Sequence, residues 1–226
     1  MREVEQRAYL LHSRPYKENQ LILNLLTEQE GKVTAFTFAS RAGKSSKKAT
    51  LQPFIPLKVV LKGNENLKTL SRVETIAKPF SLYEKYLYSG FYLNELLVRL
   101  LEEHIPSESI FNEYHRCLSQ LSLGGEIEPS LRKFELTLMD ELGVSFDYSP
   151  VFEQPEANFD YIIEEGFVPM YSSSHNAAYK GADLVAIAES QELNKAQQQV
   201  FKRLMRQVLN HLLDGKPLNS RKLFSS

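Results

Sequence analysis

Cysteine is almost absent from this chain of 226 residues, and the single one, Cys117, excludes a disulfide bond within the molecule. Long apolar runs are missing as well, because no stretch reaches the roughly 20 apolar residues of a membrane-spanning helix. The charged first residues are not followed by the apolar core of a secretory signal. We therefore expect a protein of the reducing cytoplasm that has no membrane segment.

Metal-binding and catalytic motifs are missing too. The histidines are scattered, and none stands at ligand spacing from Cys117. Neighbouring acidic pairs do not share a helix face, and no Gly-x-Ser-x-Gly motif occurs. Gly43-Lys44-Ser45 is not a P-loop, because Phe38 occupies the position of the required earlier glycine and Pro53 follows too soon for a helix. The sequence therefore indicates a protein that is not an enzyme and needs no cofactor.

Charge is distributed unevenly along the chain. Residues 1–80 carry 14 lysines and arginines against 7 acidic residues, a net charge of +7, whereas residues 81–226 carry 13 against 21, a net charge of −8. Such a split is typical of a basic domain for polyanions beside an acidic body, although charges on solvated faces also segregate by chance. The excess of cations favours residues 1–80 as a nucleic-acid-binding domain.

The first 80 residues have the pattern of a small β-barrel. Short runs rich in Val, Leu, Thr and Phe are separated by turn residues, and prolines occur only where no ladder hydrogen bond is lost. A five-stranded OB-fold is the simplest architecture for such a segment, and an SH3-like barrel fits the strand count nearly as well. The predicted strands cover residues 4–12, 21–27, 32–40, 53–62 and 67–76.

Helical periodicity begins after Pro79. A capping box of Ser81 and Glu84 predicts the first helix, and Asn194 with Gln197 predicts the start of the last one. Between them, the region around Gly166 has the pattern of a hairpin inside an irregular insertion. The predicted helices cover residues 81–103, 107–121, 129–142 and 194–214, and the irregular insertion covers residues 144–193.

A cationic loop between two predicted strands is the strongest candidate for binding nucleic acid. It packs four cations into eight residues, and no acidic residue lies between Lys32 and Lys62. Such a loop suits phosphate contacts, although lysines also keep ordinary loops soluble. The predicted DNA-binding residues are Arg14, Tyr16, Lys17, Lys32, Arg41, Lys44, Lys47, Lys48, Lys58, Lys62 and Arg72.

Aromatic residues are interleaved with these cations. Strict alternation places Lys32, Thr34, Phe36 and Phe38 on one face of a strand. We expect Phe36 and Phe38 to fill the barrel core, whereas an exposed position would allow them to stack on a base. Tyr16 is the better stacking candidate, because its predicted loop position is in contact with water.

Cations on the helical part are candidates for binding an acidic peptide whose hydrophobic end enters a pocket between helices. Ordinary solvation of a helix surface explains the same residues. The predicted peptide-binding residues are Arg132, Lys133, Lys202, Arg203 and Arg206.

Five blocks of sequence resemble the RecO family of bacterial recombination mediators and follow one another in the family's order. They are YLLHSRPY at residues 9–16, LQPFIPL at 51–57, LYSGFYLNELL at 87–97, LRKFEL at 131–136 and GKPLNSR at 215–221. The resemblance implies an α+β fold, with an N-terminal five-stranded OB-fold barrel at residues 1–79 and a mainly α-helical domain at residues 80–226. Many family members bind zinc through four cysteines in the insertion, but residues 144–193 contain none here, so no zinc is expected.

The resemblance also implies a function and partners. These are binding to single- and double-stranded DNA, annealing of complementary strands, docking on the C-terminal tail of single-stranded DNA-binding protein, and cooperation with RecR to load RecA. The resulting hypothesis is a mediator of DNA repair in the cytoplasm, associated with the nucleoid. The alternatives are a general OB-fold nucleic-acid binder and a protein-interaction scaffold without mediator activity.

Overall fold

The computed structural model describes residues 3–38, 47–64, 67–170, 179–189 and 192–223. The chain forms two compact units, of which the first comprises Met1–Thr137 with Leu218–Ser226 and the second comprises Leu138–Pro217. The domain boundary predicted between residues 79 and 80 stays a prediction. Within the described ranges, no helix combines the length and the apolar character needed to cross a bilayer.

A closed five-stranded barrel forms the beginning of the first unit. Its strands are β1 (Glu3–Tyr16), β2 (Gln20–Thr27), β3 (Gly31–Phe38), β4 (Leu57–Asn64) and β5 (Leu67–Thr75), with a single-turn helix α1 (Lys47–Thr50) between β3 and β4. The strand order is β1-β2-β3-β5-β4, and β4 closes the barrel against β1. Every pairing is antiparallel except that of β3 with β5. This topology is the OB-fold, and the fold-class prediction is confirmed.

Alternation along the strands places apolar residues inside the barrel. The core residues point inward from every strand, so that the inner face of the barrel is removed from water. The tight turn into β3 requires Gly31, which has φ +66° and whose Cβ, if it had one, would lie 1.8 Å from the carbonyl oxygen of Ile105. The buried barrel core includes Leu10, Leu23, Leu25, Val33, Ala35, Leu57, Val59, Leu61 and Leu70.

Helices follow the barrel. They are α2 (Glu84–Leu100), α3 (Glu108–Ser122) and α4 (Ile127–Glu141), and the division between the two units falls within α4. The Ser107 hydroxyl accepts a hydrogen bond of 3.2 Å from the Ile110 amide and thereby caps α3. The capping box predicted at Ser81 is wrong, because α2 begins at Glu84 after Tyr83, which makes no side-chain cap.

The second unit combines a small sheet with helices. Its further elements are α5 (Ser149–Glu153), β6 (Asn158–Ile162), β7 (Gly166–Met170), β8 (Tyr179–Lys180), α6 (Gly181–Ala188) and α7 (Lys195–Leu212). The predicted hairpin is confirmed as β6 and β7, and β8 adds a third strand beside β6 that the sequence did not indicate. The predicted capping box of Asn194 and Gln197 is present at the start of α7.

The C-terminal segment returns to the first unit. It ends in the short helix α8 (Ser220–Leu223), which contacts α2. The Glu95 carboxylate of α2 accepts hydrogen bonds from the Asn219 amide at 2.9 Å, the Ser220 amide at 2.8 Å and the Ser220 hydroxyl at 2.7 Å. One partly buried carboxylate therefore satisfies the amides that a helix start leaves without partners.

Candidate nucleic-acid interface

The outer side of β1, β2 and β3 carries both aromatic and cationic residues. In the strand register, Arg14 lies opposite Ile22, and Ile22 lies opposite Phe36. One row further along, Tyr16 lies opposite Gln20, which lies opposite Phe38. Directly opposite residues share one face of a sheet, so these two rows form one surface.

That surface faces away from the barrel core. Val33, Ala35 and Thr37 are buried inside the barrel, so the alternate residues of β3 point outward. Phe38 is 63% exposed, whereas Phe36 is partly buried. The expectation that both phenylalanines fill the barrel core is therefore wrong. The lysine and threonine on the same side as Phe36 and Phe38 were the signal in the sequence that this side is the outer one.

Contacts between rings and cations order this surface. The ring centroids of Tyr16 and Phe36 lie 5.2 Å apart at an interplanar angle of 50°, and Tyr16 is 40% exposed. The Lys17 ammonium lies 5.4 Å from the centroid of the Tyr16 ring, within the range of a cation–π contact. Arg14 and Lys17 are both exposed. We call Tyr16, Phe36 and Phe38 together the outer aromatic face.

A second group of predicted cations lies on β4 and β5, where acidic residues accompany it. The Lys58 ammonium is 2.6 Å from the Glu5 carboxylate, and the hydrogen bond with Glu5 raises the pKa of Lys58. Lys62 and Arg72 line a cleft of about 450 Å³ that Glu5 also lines. Acidic neighbours offset part of the positive potential of this group.

Lys32 is buried, which argues against its predicted contact with DNA, and that contact stays a prediction. The side chain is 8% exposed, and its ammonium donates a hydrogen bond of 3.0 Å to the Val98 carbonyl near the end of α2. Burial lowers the pKa of Lys32, and the nearby Glu103 carboxylate offsets part of this effect. A cation at the C-terminal end of a helix complements the helix dipole, which gives Lys32 a structural role.

Most of the cationic loop at residues 41–48 lies outside the described residues. Arg41 and Lys44 lie outside the described residues. For Lys47 and Lys48 only the backbone is described, as the first turn of α1. Their contacts with DNA therefore remain predictions.

Arg132 is buried and is not a surface cation, which argues against its predicted contact with a partner peptide, and that contact stays a prediction. It is 8% exposed, and its Nη2 donates a hydrogen bond of 2.6 Å to the fully buried Glu135 carboxylate. The Tyr92 hydroxyl donates a second bond of 2.5 Å to the same oxygen. Burial raises the pKa of Glu135, and the opposing effect of Arg132 does not cancel it. Lys133, the next residue, is exposed beside a cleft lined by Arg116 and other residues.

The other predicted peptide-binding cations belong to α7 in the second unit. The Arg203 guanidinium lies 4.5 Å from the centroid of the Tyr179 ring. Arg203 and Arg206 are exposed, and Lys202 is partly exposed. Their role with a peptide stays a prediction.

Neither metal chemistry nor thiol chemistry has a site among the residues that the structure describes. No group of three or more His, Cys, Asp or Glu side chains there lies close enough to hold a metal ion. Cys117 is buried, and burial raises the pKa of its thiol to about 12. Such a thiol stays protonated at neutral pH and is a poor nucleophile.

Two family models match the chain. The model of the recombination protein O N-terminal domain matches residues 1–79, which include the barrel, and the model of the C-terminal domain matches residues 84–222.

Full-length relatives agree with these matches. The DNA repair protein RecO of Vibrio cholerae is 38% identical over an aligned length of 226 positions. The alignment covers 97% of this chain and 92% of the relative. The protein of the same name in Haemophilus influenzae is 38% identical, with coverage of 97% and 95%, and that of Aliivibrio salmonicida is 36% identical, with coverage of 99% and 96%. The barrel, both family models and these relatives agree, and the chain belongs to the RecO family of DNA repair and recombination proteins.

Proposed function

We propose that the protein is a non-catalytic recombination mediator of DNA repair. It binds single- and double-stranded DNA, anneals complementary strands coated with single-stranded DNA-binding protein and acts with RecR to help load RecA. Its place of action is the cytoplasm, at the nucleoid. Membership of the RecO family supports the proposal, and the observation that carries DNA binding is the outer aromatic face beside Arg14 and Lys17 on an OB-fold barrel.

DNA capture rests on phosphate contacts. OB-folds bind oligonucleotides on the face formed by their second and third strands and through the loop between the first two strands. Arg14 and Lys17 flank that face here, and Lys62 and Arg72 add cations on β4 and β5. Contacts of this kind do not read sequence, and they weaken as salt rises because binding releases counterions.

Recruitment rests on cations of the helical part. The tail of single-stranded DNA-binding protein combines acidic residues with a hydrophobic end, so it fits exposed cations beside a pocket between helices. The proposed cations are Lys133 in the first unit and, as a separate candidate group, Lys202, Arg203 and Arg206 on α7 in the second unit. Strands held on the same protein have a raised effective concentration, which accelerates annealing without any bond being broken.

Binding measured over a range of salt concentrations tests the DNA-binding part of the proposal. Fluorescence anisotropy of labelled single strands gives the slope of log K against log salt for the wild type, for R14A/K17A and for K44A/K47A/K48A. Each lost phosphate contact is expected to reduce the slope by about 0.7 on single strands. The matched control K195A removes an exposed lysine of α7 and is expected to leave the slope unchanged. Slopes equal to that of the wild type in both multiple variants would contradict phosphate capture by these cations.

A further inference from the structure

The outer aromatic face has a composition that phosphate capture does not explain. A single exposed apolar residue is ordinary on a protein surface, but here three rings lie in two adjacent rows of one sheet face. Phe36 and Phe38 are two residues apart on the same side of β3, a separation of about 6.6 Å along the strand. Phe38 is 63% exposed at the end of this row. The barrel thus presents flat apolar surface to water beside its cations.

The inner rings of this face are supported. Tyr16 packs on Phe36 with their centroids 5.2 Å apart, and the Lys17 ammonium lies over the Tyr16 ring. Beneath them, the strand residues that alternate with Phe36 and Phe38 are buried in the barrel core. The face is therefore built on rigid strands, which hold aromatic rings in fixed orientations at little entropic cost.

We propose that the outer aromatic face is a base-stacking platform for unpaired nucleotides, with Phe38 as its most exposed ring. Arg14 and Lys17 hold the neighbouring phosphates of the same strand. This inference rests on the DNA-binding function proposed above and adds that the barrel distinguishes single strands from duplexes. Every base has an aromatic face, so the platform accepts any sequence.

The chemistry of the surface favours this occupant. A single strand offers both of the groups that the surface matches, namely flat rings for the aromatic side chains and phosphates for the cations. In a duplex the faces of the bases are covered by their stacked neighbours, and only the base edges are accessible in the grooves. Duplex DNA is therefore expected to bind through the cations alone.

Replacing Phe38 by alanine tests the platform. Binding of F38A to labelled oligo(dT) is expected to weaken by about tenfold or more, since removal of one stacking side chain typically has an effect of that size. Binding to a duplex of equal length is expected to stay the same. The salt dependence of binding to oligo(dT) also stays the same, because no cation is lost. The matched control F152A removes a phenylalanine of α5 that is 49% exposed and is expected to change neither affinity.

A tryptophan substitution gives a direct signal from the same position. The chain contains no tryptophan, so F38W introduces a single fluorophore that retains the ability to stack. Its emission is expected to be quenched by oligo(dT) while the affinity stays close to that of the wild type. F152W, the matched control, is expected to show no quenching.

The outcomes separate this inference from the proposed function. Unchanged binding of F38A to oligo(dT), or an equal loss on single strand and duplex, would overturn the platform while leaving DNA binding by the wild type intact. Quenching of F38W by an acidic hydrophobic peptide and not by oligo(dT) would assign the face to a protein partner and would also overturn it. Absence of any DNA binding by the wild type would overturn the proposed function as well.

Discussion

The burial of single charged residues differs most from what the sequence indicates, and Arg132 is the clearest case. Its partners Glu135 and Tyr92 are themselves buried, so the three side chains form a polar group inside the helical packing of the first unit. Removing one member of a buried ion pair leaves the other charge uncompensated, and the cost exceeds the net contribution of the pair. We therefore expect Arg132 to contribute to the stability of the fold.

We predict that R132M lowers the free energy of unfolding by about 3–5 kcal/mol, as is typical for a broken buried ion pair. R132M/E135Q recovers part of this loss, because a neutral side chain then accepts the Tyr92 hydrogen bond. Urea unfolding followed by circular dichroism measures both variants. K133M, at the exposed neighbouring position, is the control and is expected to lie within about 0.5 kcal/mol of the wild type. If R132M lowers the free energy of unfolding no more than K133M does, the Arg132–Glu135 pair does not stabilise the folded protein.

The Lys32 ammonium donates a hydrogen bond to the Val98 carbonyl. K32M is expected to leave the salt dependence of DNA binding unchanged, because this cation does not reach phosphate. K17A is expected to lose one phosphate contact. The slope of log K against log salt on single strands should therefore fall by about 0.7. Titrations of a labelled single strand at several salt concentrations compare the two variants. A smaller slope for K32M would mean that Lys32 leaves its buried position when DNA binds.

At the scale of elements, one carboxylate attaches the C-terminal helix α8 to α2. Burial acts to raise the pKa of Glu95, but the hydrogen bonds from the amides of Ser220 and Asn219 and from the Ser220 hydroxyl outweigh it, and the net pKa is lowered. A carboxyl group with a lowered pKa in the folded state stabilises the protein above its unfolded pKa. This contribution is lost as the pH falls through the lower, folded value.

We predict that E95Q is less stable than the wild type at pH 7 by about 1.5–3 kcal/mol, the range for hydrogen bonds to a charged group. The difference is expected to shrink as the pH falls from the ordinary value of 4.5 through the lowered pKa of Glu95, because the unfolded wild type takes up a proton before the folded protein does. Urea unfolding at a series of pH values measures it. E102Q, at an exposed glutamate, serves as the control. A difference between E95Q and the wild type that does not change with pH would contradict the role of the Glu95 charge.

The hairpin in the second unit depends on aromatic packing. Phe167 is 2% exposed and lies within 5.7 Å, centroid to centroid, of each of the rings of Phe146, Tyr148 and Tyr161. We predict that F167A destabilises this unit by about 3–5 kcal/mol.

Incubation of the wild-type protein with a metal chelator is expected to leave its melting temperature unchanged. A lower melting temperature in the chelator would show that a metal ion stabilises the fold.

Elements with strong local signals could be predicted from the sequence. Short apolar runs separated by turn residues indicated all five barrel strands, and the side chains of Asn194 and Gln197 indicated the start of α7. The two-residue strand β8 could not be predicted, because only its pairing with β6 defines it. The start of α2 at Glu84 was missed for a related reason, since Tyr83 has no capping side chain that a sequence pattern reveals.

At the scale of the whole molecule, the candidate site could be predicted only in part. The exposure of Tyr16 was predicted, but the residue was expected in a loop, whereas Arg14 and Tyr16 lie on β1 and only Lys17 lies in the turn after it. The outward direction of Phe38 and the burial of Lys32 and Arg132 depend on contacts between residues distant in sequence, which local patterns do not contain. Net charge indicated which end of the chain is proposed to bind DNA, but it did not identify the cations that face solvent.

The proposed function joins DNA capture by the barrel to recruitment by the tail of single-stranded DNA-binding protein. The most direct test measures annealing of complementary strands coated with that protein, or with a version that lacks its C-terminal tail, in the presence and absence of the chain. We predict that the chain accelerates annealing on the complete coat and that the acceleration is largely lost on the tailless coat. Equal acceleration on both coats would contradict recruitment by the tail. No acceleration on either coat, despite binding to naked DNA, would contradict the mediator function itself.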